Sequence, residues 1–65
     1  MTLPVNRYNA LCNTRAFLLA LRDDAALPEH VRQRALSLLK HWPDDGELRR
    51  LAELAPELLS ARLIS

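Results

Sequence analysis

Residues 27–47 read Leu27-Pro28-Glu29-His30-Val31-Arg32-Gln33-Arg34-Ala35-Leu36-Ser37-Leu38-Leu39-Lys40-His41-Trp42-Pro43-Asp44-Asp45-Gly46-Glu47, and this stretch decides the fold. Pro28 suits the first position of a helix, because it has no amide hydrogen to leave unsatisfied there. Glu29 adds negative charge to the same first turn, where the helix dipole favours it. Val31, Ala35, Leu38 and Trp42 then follow a 4-3-4 spacing, the seam of a helix packed on another helix. Leu36 and Leu39 widen that seam. Pro43 disfavours helical geometry at Trp42, so the helix is predicted to end at Lys40 or His41. Asp44 and Glu47 stand at capping-box spacing and announce a further helix at once.

Upstream, a helix is predicted over residues 6–22, with Asn6 as its N-cap and Asp23-Asp24 past its end. At 100° per residue, Leu11, Leu18, Tyr8, Leu19 and Cys12 share one face. Phe17, Leu21 and Ala10 extend it on one flank, leaving Asn9, Asn13, Ala16 and Ala20 as a strip without large apolar groups. Downstream, Leu48, Leu51, Ala52, Ala55, Leu58 and Leu59 repeat at helical spacing and predict a third helix over 45–63. Pro56 must kink or break it, because proline removes a ladder hydrogen bond. No alternating β-branched run or hairpin turn signals a strand. The fold class is therefore all-α: one small three-helix domain over residues 1–65, a helical hairpin followed by a Pro-kinked third helix.

Composition sets the outer bounds. Sixty-five residues with nine Lys or Arg, eight Asp or Glu and a formal charge of +1 make one domain at most. The length excludes a dinucleotide-binding fold or a barrel, and a 49% apolar content excludes a disordered tail. One cysteine cannot form an internal disulfide, which fits a reducing, cytoplasmic setting. The N-terminus shows no charged region followed by an apolar run, and no stretch reaches the length of a bilayer span. A core of this size supplies only about 3–5 kcal/mol without a disulfide, a metal or a partner. Fifteen leucines exceed what so small a monomer can hide, so a homodimer is expected.

The chemistry-bearing residues are few. Cys12, His30 and His41 show no metal-ligand spacing, so no metal is expected. Cys12 lies on the apolar side of the first helix, where a free cysteine acts as a small hydrophobe. Ser37 and Ser60 have no nearby base. A single glycine cannot build a phosphate-cradling loop, so neither an enzymatic activity nor a cofactor is expected. Arg32, Arg34, Arg49 and Arg50 leave open a small helix-turn-helix-like DNA-binding regulator. The interleaved acids and the near-zero charge make solvated arginines the better reading, and nucleic acid an unlikely partner.

Two features rise above that background. Arg15 falls in the middle of the first helix's apolar face, with Arg22 one heptad later. A guanidinium there needs a partner, because an unpaired buried charge costs several kcal/mol. An intramolecular ion pair or snorkelling to solvent is the ordinary solution, and pairing across an interface is the functional one. The second feature is the corner His41-Trp42-Pro43. Trp42 at the end of a helical seam is more often core, yet Trp, Tyr and Arg also dominate interface hot spots. Tyr8, Arg15, Arg22 and Trp42 are accordingly the candidate partner-binding residues.

The pattern Thr14-Arg15-x-Phe17-Leu18, then Leu27-Pro28-Glu29-x-Val31-Arg32, then Ala35-x-x-Leu38-Leu39-Lys40-His41-Trp42-Pro43 resembles a family of short helical proteins of proteobacteria with no established activity. In that family the last element reads Leu-Leu-Arg-His-aromatic-Pro, so Lys40 and Trp42 are mild departures. The resemblance spans residues 7–43, and the tail after Pro43 falls outside it. In size the chain is also similar to small phage-encoded helical inhibitors of host regulators and motor ATPases. Together these readings predict a non-enzymatic, cytoplasmic interaction protein: a homodimer that binds and masks a bacterial partner such as a regulator or motor ATPase.

Overall fold

The computed structural model describes residues 2–61, and every regular element among them is a helix. Helix α1 spans Pro4–Asp23, α2 spans Glu29–Leu39 and α3 spans Asp45–Leu54. The chain is a small all-α domain, 39 × 20 × 20 Å along its principal axes. α1 is its spine: it packs closely against α2 and more lightly against α3, while α2 and α3 do not pack on each other.

α1 starts earlier than Asn6. Leu3 is the N-cap, and its carbonyl accepts from the amides of Asn6 and Arg7. Pro4 takes the first helical position, where its fixed φ is already helical, and this moves the start upstream of the better capping side chain. After Asp23 the Asp24 carboxylate accepts from the Ala26 amide at 2.9 Å, and the Asp24 carbonyl accepts from Leu27 at 3.1 Å. That local side-chain turn lets five residues reverse the chain without a glycine.

α2 has Pro28 as its N-cap rather than its first residue, and its last α-helical residue is Leu39. The coil persists in tightened form, with His41 N donating to Leu38 O and Trp42 N to Leu39 O, before Pro43 stops it. Its buried side is centred on Ala35, with Val31, Arg32, Leu39 and Trp42 partly covered. The predicted seam placed Leu38 there. Leu38 instead remains 44% exposed, and the packed side runs through the partly covered Arg32 and Leu39. On α1, the flank of Phe17 and Ala10 is likewise exposed.

α3 opens on the predicted capping box. Asp44 Oδ1 accepts from Glu47 N at 2.8 Å, and Glu47 Oε1 accepts from Asp44 N at 3.1 Å. It ends at Leu54, well short of residue 63. Pro56 is the cause: the residue before a proline is pushed out of helical space, and Ala55 stands at φ −135°, ψ 64°. A single turn follows, with Leu58 and Leu59 both donating to Ala55 O. The predicted helical positions 62 and 63 lie outside the described residues. The buried set among the described residues is small: Leu18, Ala35, Leu48 and Ala52.

Candidate functional site

The α2–α3 corner carries the most distinctive surface. Because α2 and α3 run apart after Pro43, the corner and the adjoining side of α3 enclose an open groove of about 390 Å³. Trp42 and Pro43 line it from the corner, and Leu51 and Leu54 from α3. Leu51 is 43% and Leu54 72% exposed, and Leu58, one step further along the chain, is 57% exposed. This apolar ledge exists because Leu48 and Ala52 turn the opposite side of α3 into the core. Lys40, His41 and Arg50 border the groove, together with Glu47, whose Oε1 is engaged in the capping box.

Trp42 belongs to both core and surface. Its side chain is partly buried, its Nε1 donates to Leu11 O at 3.3 Å, and its outer side lines the groove. The hydrogen bond seats the indole against α1 at Leu11, three residues after Tyr8 and four before Arg15. Those two residues therefore lie one turn from the indole's seat, along the same side of α1. Both are partly buried. Arg15 has no hydrogen bond or ion pair among the described residues, so the expected intramolecular salt bridge is not formed there. Arg22 stands apart, about 16 Å along the helix from Leu11. It is exposed and pairs with Asp23 through Nε to Oδ1 at 2.9 Å. That contact, mainly the direct hydrogen bond, raises the Arg22 pKa and lowers that of Asp23. Both groups are solvent-exposed, so the pair is a surface feature of α1's C-terminus.

Two arginines take roles that the sequence pattern did not announce. Arg7 clamps the chain after α3 to the start of α1: Nε donates to Leu58 O at 2.8 Å, Nη2 to Glu57 O at 3.4 Å, and Nη1 to Thr2 O at 2.7 Å. Ser60 N adds a bond to Pro4 O at 3.2 Å. Arg32 lies on the packed side of α2, and its Nε is buried with no hydrogen-bond partner among the described residues. Arg34, Arg49 and Arg50 are exposed.

Among the described residues no three His, Cys, Asp or Glu side chains gather in a way that could hold a metal. Cys12 is a partly covered free thiol on α1. None of the described helices is long and apolar enough to cross a membrane. No family model, curated protein or solved structure matches this chain.

Proposed function

We propose that this chain is a non-enzymatic protein–protein interaction module of the cytoplasm, a homodimer that binds and masks a bacterial partner such as a regulator or motor ATPase. One observation carries the reading: the outer side of α1 is free of charge from Asn6 to Ala20. Arg7 and Arg15 lie on its covered side instead. That outer side presents Asn9, Asn13, Ala16 and Ala20, with Phe17 at 62% exposure. A solvated helix face ordinarily carries charge. A face of small, uncharged residues around one aromatic anchor suits close approach by a second copy, and it brings no like charges together across a two-fold axis. The ledge at Trp42 is then left for the partner.

Sedimentation of the full chain at high micromolar concentration tests the dimer. The expected species has twice the chain mass, and Phe17→Glu is expected to give a monomer that keeps its helical circular dichroism. A wild-type chain that stays monomeric throughout overturns the dimer. The DNA-binding alternative gains nothing from the geometry. The arginines it would use stand on α2 and α3, which do not pack on each other.

A further inference from the structure

We propose that the ledge of Trp42, Pro43, Leu51 and Leu54 takes an amphipathic helix of a partner protein whose apolar anchors are flanked by acidic residues. The inference rests on the reading of the chain as an interaction module and adds the chemical class of the partner. Trp42, Pro43, Leu51 and Leu54 supply the apolar part of the groove's lining, and Leu51 and Leu54 are one turn apart on α3 and exposed. α3 is ten residues long, about 15 Å, which matches the two to three turns a helical ligand uses when it lays i, i+3 or i+4, and i+7 anchors into a groove.

The rim decides the sign of the partner. Lys40 and Arg50 border the groove and have no ion pair among the described residues, with His41 beside them. The one carboxylate at the groove, Glu47, is held by the Asp44 amide at the positive end of α3. Two cations thus stand against one carboxylate at the groove, and glutamates on a bound helix would complement the excess positive charge. A second copy is a poor occupant, since a two-fold contact here sets Lys40 and Arg50 against their own counterparts. An anionic membrane is poor as well. Surface-binding segments gather about four to eight basic residues, and this rim has two plus a histidine.

Trp42 is the only tryptophan in the chain and lines the groove, so its emission reports occupancy directly. The full chain is titrated with a synthetic helical peptide bearing leucines at i, i+4 and i+7 with glutamates between them. The same peptide with lysines for glutamates, and phosphatidylserine vesicles, are the comparisons. Saturable binding of the glutamate peptide with a blue-shifted emission is expected, weakened by added salt and by roughly tenfold or more in Arg50→Glu. Leu54→Ser, at a side chain that is mostly exposed, is expected to lose binding while its melting stays unchanged. Phe17→Glu, which tests the dimer, is expected to bind as the wild type does, so the two readings fail separately. Equal binding of both peptides overturns the acidic partner and leaves the interaction module standing. Saturation by vesicles without peptide binding, an emission shift on concentrating the chain alone, or no binding of the glutamate peptide overturns the ledge proposal.

Discussion

Arg7 shows what one side chain contributes when its donors are spread over three carbonyls. Its guanidinium fork joins residues 57 and 58, which have left α3, to Thr2 at the head of α1. Charge-assisted bonds of this kind are worth about 1.5–3 kcal/mol when protected, and less where water competes. Lysine cannot reproduce the fork, because an ammonium is a point charge on a flexible stem. Arg7→Lys and Arg7→Ala are therefore expected to free the segment after Pro56 to a similar degree. Hydrogen exchange reads this at the Ser60 amide, which bonds Pro4 O and should lose protection while amides in mid-α1 keep theirs. Unchanged exchange at Ser60 would show that the segment is held without the clamp. No pattern in the sequence marks Arg7, because its acceptors are backbone carbonyls, two of them some fifty residues away, and a carbonyl leaves no trace in residue type. Trp42 was legible for the opposite reason. A tryptophan before Pro43, at the end of a helical seam, carries its own chemical signal.

At the scale of the element, the start of α3 was fully legible because everything it needs lies within four residues. Asp44→Ala removes one half of the reciprocal cap and is expected to cost about 0.5–2 kcal/mol, read as a lower melting temperature. Gly46 sits inside the same first turn, and a Cβ there would meet Asp44 Oδ1 at 3.4 Å, an ordinary contact. Gly46→Ala is expected to raise stability by about 0.4–1 kcal/mol, since the folded geometry accepts alanine and the unfolded chain loses freedom. A loss of stability in Gly46→Ala would mean that the methyl group displaces the Asp44 carboxylate. The extents of the other helices were less legible, each for a physical reason. Pro4 set the start of α1 ahead of a better capping side chain, and the i to i+3 bonds after Leu39 blurred the end of α2. The ledge was the least legible feature of all. Spacing alone placed Leu48, Leu51, Ala52, Ala55, Leu58 and Leu59 in one helical repeat. Which of them turn outward depends on how α3 is rotated against α1, and that is a tertiary choice. The parting of α2 from α3 is tertiary in the same sense.

The whole molecule is drawn out, with a radius of gyration of 13.7 Å where a compact chain of this length would have about 11 Å. A spine helix with two short helices that do not pack on each other buries little, and the four buried residues among those described reflect that. Leu48 is the most completely covered of them. Truncating a buried leucine to alanine costs about 2–5 kcal/mol, and a core of this size supplies only about 3–5 kcal/mol in all. Leu48→Ala is therefore expected to stand near or past its unfolding midpoint at room temperature. Leu54→Ala, at a side chain that is 72% exposed, is expected to melt as the wild type does. The proposed dimer would enter the same balance, because a partner that binds only the folded chain adds stability that grows with concentration. The melting temperature of the wild type should rise as the chain is concentrated, and that of Phe17→Glu should not. Far-UV circular dichroism of Leu48→Ala should likewise recover helical signal as the chain is concentrated. A Leu48→Ala melt that matches the wild type at every concentration would show that the core is not centred on Leu48, and that the elongated monomer is held by something other than the packing of α1 on its two short neighbours.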